Sequence, residues 1–244
     1  MISLKGLKFE YPNKKILTGI NFHFDEGKIY CLVGENGAGK TTLIELILGI
    51  KELQAGEITF DKKFINNNLL KNIGVVFQEN YLRPRLKVKE EIDSYVDLFK
   101  VTDTWKNEII RIFELTSLLN KIGNSLSGGE RRRVLMALSF INSPKYLILD
   151  EPFTGIDTKL RNKFRGFMED YCHNNNATII FSEHNILECQ KYNYNFIFMY
   201  EGNFILHGTK NELISMINKN YDDLQDLYLD IWKGGIFNEN SSKK

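Results

Sequence analysis

A glycine-rich segment near the N-terminus carries the strongest chemical signal in the sequence. Residues 34–42 read GENGAGKTT, which satisfies the pattern G-x-x-x-x-G-K-[ST]. The apolar run KIYCLV precedes the segment and the helical run TTLIELILGI follows it. Glycines let backbone N–H groups turn inward around phosphate oxygens, and the start of a helix adds about half a positive charge. The sequence therefore predicts a phosphate-binding loop, in which Lys40 reaches the β- and γ-phosphates and the Thr41 hydroxyl binds Mg²⁺. An ordinary glycine-rich turn is the alternative, and the flanking strand and helix argue against it.

Two adjacent carboxylates end a second apolar strand, KYLILDEP at residues 145–152. Because side chains alternate along a strand, Asp150 and Glu151 cannot do the same job. Asp150 is the better candidate for holding Mg²⁺, and Glu151 for polarising an attacking water as a general base. Carboxylates at a strand end usually face solvent, but a nearby phosphate loop favours the catalytic interpretation.

A second glycine pair opens a helix within LSGGERRRVL at residues 126–135. Ser127 and Glu130 have the spacing of a capping box, so a well-capped helix is the plain interpretation. Each glycine weakens a helix by about 1 kcal/mol relative to alanine, which makes the pair a poor way merely to start one. Glycines do permit close approach of backbone amides to an anion. The arginines at 131–133 are expected to form a solvated or partner-facing surface.

Short apolar segments predict the elements that must position these residues. Strands are expected at 2–9, 20–24, 28–33, 56–60, 72–77, 145–150, 177–182, 195–200 and 203–208. The first two alternate in the manner of edge strands, and the last two form a hairpin. Between Gln78 and Ser139 the sequence turns helical with charged faces, which predicts a helical lobe inserted in an α/β core. Helices are expected again from about 211, ending near Trp232.

The composition limits the function classes. The net charge of +1 lacks the excess of positive charge that nucleic-acid binding usually requires, which disfavours a nucleic-acid partner. Three cysteines, far apart and without metal-ligand spacing, are typical of reduced thiols in a cytosolic protein. The longest apolar runs, such as LIELILGI, are much shorter than a bilayer span, so any membrane role is expected to come through a partner. Only the polar end, NENSSKK, is expected to be disordered.

The order and spacing of these motifs resemble the nucleotide-binding subunit of an ABC (ATP-binding cassette) transporter over roughly residues 2–210. GENGAGKTT matches the Walker A motif, LSGGE at 126–130 the family signature, and YLILDEP at 146–152 the Walker B motif with its catalytic glutamate. Gln78 in VVFQEN matches the Q-loop, TGID at 154–157 the D-loop with isoleucine where leucine is commoner, and His184 in FSEHN the switch histidine. Tyr11 matches the aromatic residue that stacks on adenine, although YPNKK could equally be a turn that exposes it.

The resemblance implies an α/β fold, with a P-loop NTPase core of mixed sheet flanked by helices, an antiparallel β subdomain and an inserted helical lobe. The cassette would occupy residues 1–218, with the core at 1–78 and 140–218 and the lobe at about 79–139. A C-terminal helix and polar tail would occupy 219–244.

The resemblance also implies three overlapping sets of site residues. The catalytic set is Glu151, His184 and Lys40. The metal set is Thr41, Gln78 and Asp150. The ATP-binding set is Tyr11, Gly34, Glu35, Asn36, Gly37, Ala38, Gly39, Lys40, Thr41, Thr42, Gln78, Ser127, Gly128, Gly129, Glu130 and Asp157. By the same resemblance, Gln78 relays to a membrane partner, His184 contacts the γ-phosphate, and Asp157 links two nucleotide sites.

The implied function is ATP hydrolysis that drives a separate transmembrane permease, with ATP and Mg²⁺ as cofactors. The signature of one subunit closes over ATP held by the Walker A loop of another, so a second copy or a homologous cassette is an expected partner. No nucleic acid is expected, and the protein is expected to be cytoplasmic and peripheral at the cytoplasmic face of the cell membrane.

Two questions of function stay open at this point. A soluble ABC ATPase of an assembly complex, such as iron-sulfur cluster biogenesis, shares LSGGE and a similar length, but Pro152 in DEP resembles transporters more. The runs at 78–99 and 222–234 resemble cassettes paired with ABC-2-type exporters, so export is preferred over import. Because the membrane subunit selects the cargo in this family, the chain does not identify the substrate.

Overall fold

The computed structural model describes residues 1–78, 82–216 and 223–232, in which two β-sheets are covered by helices. The strands are β1 (Ile2–Tyr11), β2 (Lys14–Phe24), β3 (Ile29–Val33), β4 (Ala55–Phe60), β5 (Ile73–Val76), β6 (Tyr146–Leu149), β7 (Thr178–Glu183), β8 (Asn195–Tyr200) and β9 (Asn203–Gly208). The helices are α1 (Lys40–Ile47), α2 (Asn67–Leu70), α3 (Val88–Phe99), α4 (Asp103–Ile112), α5 (Gly128–Phe140), α6 (Thr158–Asn175), α7 (Ile186–Cys189), α8 (Lys210–Ser215) and α9 (Leu224–Trp232). Each predicted strand is present.

The larger sheet has the strand order β5-β6-β7-β3-β8-β9, and it is parallel except for the final pair. All residues of β3 and β6 are buried, as the continuous apolar runs predict for strands covered on both faces. Because parallel strands end at the same edge of a sheet, the segments that follow β3, β6 and β7 meet there. Those three segments contain the phosphate-loop motif, the carboxylate pair and His184.

The smaller sheet is antiparallel and corrects one prediction. Its order is β2-β1-β4, so β1 lies in the centre rather than at an edge. Ile2 pairs with Phe24 of β2 on one side and with Phe60 of β4 on the other. Alternating polarity shows that one face of a strand is buried but says nothing about how many neighbours the strand has. β2 is an edge strand of this sheet, as predicted, and it begins at Lys14, well before the expected position.

Two hydrophobic cores lie on opposite faces of the larger sheet. Alternate residues of its strands, such as Cys31 and Leu147, pack in one core with α5 and α6. Their neighbours, such as Leu32 and Ile148, pack in the other core with α1 and the antiparallel sheet. This two-sided cover is the α/β arrangement that the sequence predicts.

The region after Gln78 is helical across its described part, residues 82–140, where no strand is present. Its helices are tied to the core by aromatic packing. The Phe113 ring, just after α4, lies 4.8 Å from the ring of Phe164 in α6, centroid to centroid. The inserted segment is therefore held against the same helix that covers the larger sheet.

The C-terminal part contains α8 and α9, and α9 is helical up to Trp232, the last described residue, so its predicted end near Trp232 stays a prediction. The predicted boundary at 218–219 and the polar end at 238–244 lie outside the described residues. Within the described ranges, no helix has the length and apolarity to cross a membrane.

Candidate active site

The phosphate-loop segment connects β3 to α1 and depends on glycine at two positions. Gly39 caps α1 with φ of 105°, in the left-handed region that favours glycine. A Cβ on Gly34 would lie 2.6 Å from the carbonyl oxygen of Met199, so only glycine fits against that strand. α1 has no side-chain cap and no acidic residue in its first turn, which leaves its first N–H groups available for an anion.

Lys40 bends back over this loop. Its Nζ donates hydrogen bonds to the carbonyl oxygens of Gly34, at 2.6 Å, and Glu35, at 3.1 Å. Burial lowers the pKa of Lys40, and the nearby Glu151 and Asp150 carboxylates oppose that shift. Two neutral carbonyls are weak partners for a buried ammonium group, so a phosphate oxygen in the loop would be the stronger one.

Asp150 is held between two hydroxyl groups. Thr41 Oγ1 donates to Asp150 Oδ2 at 2.8 Å, and Ser182 Oγ donates to Asp150 Oδ1 at 2.5 Å. The predicted metal ligands Thr41 and Asp150 are thus in direct contact. A hydroxyl and a carboxylate are hard oxygen donors of the kind Mg²⁺ prefers, and Mg²⁺ typically takes its remaining ligands from water and phosphate. The described residues contain no cluster of three or more His, Cys, Asp or Glu side chains that could hold a metal by itself.

Ser182 is a site residue that sequence reasoning missed. It is fully buried at the end of β7, and its Oγ also accepts the backbone N–H of Glu151 at 2.8 Å. A single hydroxyl therefore orients both carboxylate residues. The available signal is a polar residue closing the apolar run ATIIFS, at the same sheet edge as Asp150.

Glu151 and His184 form a hydrogen-bonded pair, with 2.6 Å between Glu151 Oε1 and His184 Nε2. Glu151 has φ of 47°, a left-handed conformation that costs free energy for a residue with a side chain. Such outliers cluster at functional sites, where the surrounding structure over-determines them. The predicted base and the predicted switch histidine are therefore brought together across 33 positions of sequence.

A cleft of about 380 Å³ joins the phosphate loop to Tyr11, Gln78 and Glu151. Tyr11 ends β1, is 43% exposed, and has Lys51 Nζ 5.5 Å from its ring centroid. The structure therefore places Tyr11 both at the turn and beside the loop, where an aromatic face is available to a flat ring.

The signature segment, residues 126–130, lies at the start of α5 and does not line the phosphate-loop cleft. Ser127 caps α5 by accepting the N–H of Glu130 at 3.2 Å, and Glu130 Oε2 accepts the N–H of Ser127 at 2.9 Å, so the predicted capping box is formed. A Cβ on Gly129 would lie 2.5 Å from the carbonyl oxygen of Gly155, so the helix start lies directly against the 154–157 loop. Among the described residues, those that line the phosphate-loop cleft do not include 127–130 or Asp157. They do not include Asp150 or His184 either, but these two side chains are hydrogen-bonded to the lining residues Thr41 and Glu151. Asp157 caps α6 through the N–H of Leu160 at 3.0 Å.

Arg132 corrects the expectation that residues 131–133 form a solvated or partner-facing surface. Its guanidinium is buried and donates to the carbonyl oxygen of Phe77 at 2.8 Å, next to Gln78. Burial lowers the pKa of Arg132. Charge alone suggested a surface position, whereas the fold uses this arginine to join α5 to the segment after β5.

A family model described as ABC transporter matches residues 17–154, more than half of the chain. The chain belongs to the ABC transporter family. It is an ATP-binding ABC ATPase with the cassette fold, as the motifs predicted. The matched range contains the phosphate loop, the signature helix and both carboxylates.

Similar proteins include an import ATPase and other ABC transporter components. A relative from Chlorella vulgaris, named probable sulfate/thiosulfate import ATP-binding protein CysA, is 28% identical over 218 residues, 87% of this chain and 92% of the relative. A solved structure described as an ATP-binding subunit of an ABC transporter has a TM-score of 0.85 at 22% identity, covering 94% of this chain and 98% of that one. CbiO1 from Clostridium perfringens, described as part of the ABC transporter complex cbiONQ, has a TM-score of 0.74 at 28% identity, covering 88% and 90%.

Proposed function

We propose that this ATPase pairs with a second copy of itself or with a homologous cassette, closes around two Mg·ATP, and drives a separate transmembrane permease. One observation carries the pairing. The phosphate loop, Gln78 and Glu151 line one cleft, whereas the glycine pair of the signature helix lies outside it. Each chain then supplies half of two composite sites related by a two-fold axis.

Within one half-site, different residues bind the phosphates, the metal ion and the adenine. Lys40 and the first amides of α1 hold the phosphates. Thr41 and Asp150 hold Mg²⁺, with Gln78 as a further ligand, and the ion neutralises phosphate charge when bound. Tyr11 stacks on adenine.

Hydrolysis uses the Glu151–His184 pair. Glu151 accepts a proton from the attacking water, whose oxygen bonds to the γ-phosphorus as the bond to the bridging oxygen breaks, leaving ADP and phosphate. His184, hydrogen-bonded to that carboxylate, contacts the γ-phosphate. ATP favours the closed pair because it bridges the subunits, and hydrolysis removes the bridge.

The Glu151→Gln variant tests the assigned base. We expect ATP hydrolysis to fall at least about 100-fold while ATP binding is retained, because the amide cannot accept the proton. The closed pair should then accumulate in ATP, as measured by size-exclusion chromatography with light scattering. Hydrolysis at the wild-type rate would refute the role of Glu151.

The Ser127→Arg variant tests the shared site. Because Ser127 lies outside the chain's own cleft, we expect ATP binding to persist while pairing and hydrolysis are lost. Ser117→Arg is the matched control, since it places the same bulk and charge on another exposed serine. Unchanged hydrolysis in Ser127→Arg would indicate that residues 126–135 form only a capped helix and take no part in a shared site.

The proposed permease places the protein at the cytoplasmic face of a membrane. We propose export, with an ABC-2-type permease, on the resemblance of residues 78–99 and the C-terminal run. Import is the second candidate, favoured by the name of the sulfate/thiosulfate relative.

Purification in detergent tests the proposed pairing with a permease, because a polytopic membrane protein should co-purify. Recovery of a soluble scaffold complex instead would favour an assembly ATPase. ATP-driven transport in vesicles of known orientation decides the direction.

A further inference from the structure

The turn that carries His184 is held by one side chain, Glu183, the last residue of β7. Glu183 Oε1 accepts the backbone N–H of His184 at 3.0 Å and that of Asn185 at 3.2 Å. Asn185 then caps α7 through the N–H of Glu188. One carboxylate oxygen thus fixes two consecutive amides of the turn.

The other carboxylate oxygen of Glu183 accepts a hydrogen bond from a buried arginine. Arg165 of α6 donates from Nη2 to Glu183 Oε2 at 2.7 Å, and the Arg165 side chain is 0% exposed. The guanidinium also lies 4.3 Å from the ring centroid of Phe153 and donates to Cys189 Sγ at 3.1 Å. Phe153 follows Glu151 by two residues, and Cys189 ends α7. Arg165 therefore touches the segment after the catalytic base, the turn with His184, and the helix beyond it.

This ion pair is costly if its only role is stability. Removing two charges from water incurs a desolvation penalty that well-packed apolar residues avoid. Arg165 Nε is buried and has no hydrogen-bond partner among the described residues, which adds to that cost. In contrast, the His184 side chain is 41% exposed, so packing does little to hold it.

We propose that Glu183, clamped by Arg165, is a positioning residue that sets His184 against Glu151. The inference rests on the proposed catalytic roles of Glu151 and His184. The bonds to the two turn amides fix the backbone of His184, and the backbone fixes how the imidazole meets Glu151 Oε1, 2.6 Å away. The clamp acts on orientation rather than on ATP binding, because no clamp residue lines the phosphate-loop cleft among the described residues.

The double variant Arg165→Met/Glu183→Met tests the clamp without leaving a buried unpaired charge. We expect its melting temperature to stay close to the wild-type value, because an apolar pair can replace a buried ion pair. kcat should fall about 10- to 100-fold, since a small misplacement of a catalytic group has that effect, while KM for ATP changes less than about threefold. An unchanged kcat in a folded double variant would overturn the proposal.

Three single variants and a control separate positioning from general structure. Arg165→Lys keeps the charge opposite Glu183 and should retain more activity than Arg165→Met. Glu183→Gln should lower kcat, whereas Glu188→Gln should not. Glu188 of α7 pairs with Arg161 of α6, the helix that also contains Arg165, at 2.6 Å but accepts neither turn amide. Equal losses in the two Gln variants would contradict a specific role for Glu183.

The His184→Ala background shows whether Glu183 acts through His184. If it does, adding Glu183→Gln should change the residual kcat by less than about twofold, because the group being positioned is already gone. A full additional loss would overturn the mechanism.

Hydrogen exchange in the nucleotide-free protein provides a readout that is independent of catalysis. The amides of His184 and Asn185 should exchange about 10- to 100-fold faster in the double variant, with no such change in Glu188→Gln. Unchanged exchange would overturn the clamp. If the wild-type protein proved unable to hydrolyse ATP, the proposed function would fail, and the exchange rates alone would still decide whether Glu183 holds the turn.

Discussion

Replacement of Ser182 by alanine should both destabilise the protein and weaken the proposed Mg·ATP site. Ser182 is fully buried, donates to the Asp150 carboxylate at 2.5 Å, and accepts the N–H of Glu151 at 2.8 Å. Alanine removes both bonds and leaves a buried carboxylate oxygen and a buried N–H without that partner. A hydrogen bond to a charged group contributes about 1.5–3 kcal/mol and a neutral one about 1 kcal/mol.

The expected decrease in the free energy of unfolding is therefore about 2–4 kcal/mol. In a chain of this size, each kcal/mol lowers the melting temperature by about 2–4 °C, so a decrease of roughly 5–15 °C is expected. Asp150 would retain Thr41 as a partner but would be held at one oxygen only. We therefore expect the Mg²⁺-dependent affinity for ATP to fall as well, since ligand orientation depends on such supporting bonds.

Urea denaturation and titration with Mg·ATP measure the two effects. Ser139→Ala is the matched control, because Ser139 is also buried but donates only to the carbonyl of Met136 in its own helix, at 2.7 Å. The control should lose less than about 1 kcal/mol, since the helical carbonyl keeps its backbone partner. The reasoning is refuted if Ser182→Ala is no more destabilising than Ser139→Ala and its affinity for Mg·ATP is unchanged.

Three further outcomes follow from buried contacts. Gly129→Ala should lower the free energy of unfolding by about 1–3 kcal/mol, because its Cβ would meet a carbonyl oxygen at 2.5 Å. Gly128→Ala, with nothing within 4 Å, should be neutral or stabilising in the same urea titration. Arg132→Met should cost about 1.5–3 kcal/mol by losing a charged hydrogen bond to a backbone carbonyl, whereas Arg133→Met, at a partly exposed position, should cost less than about 0.5 kcal/mol. Because burial raises the pKa of Cys172 to about 11 and all three cysteines are buried, iodoacetamide at pH 8 should label none of them until denaturant is added. Rapid labelling of the native protein would contradict that burial.

Local pattern was sufficient for much of the fold. Every predicted strand exists, because continuous apolar runs and turn residues are readable within ten residues of sequence. The lobe is helical over its described part for the same reason. The central position of β1 was not predictable in this way, because its second neighbour, β4, is about fifty residues away. The alternation of polar and apolar residues along a strand shows which face is buried, but it does not identify the strands that pair with it.

For the site, the sequence by itself determined where the predicted phosphate loop lies, because its glycines, lysine and threonine stand within nine consecutive positions. It also determined which two carboxylates stand at a strand end. The tertiary structure alone decided what touches them: Ser182 on Asp150, and His184 on Glu151. It likewise placed Arg132 inside, where the sequence predicted a solvated or partner-facing surface. The physical reason is that parallel strands far apart in sequence end at the same edge of the sheet. The order of the strands in the sheet therefore decides which site side chains meet, and the spacing of residues within one segment does not contain that order.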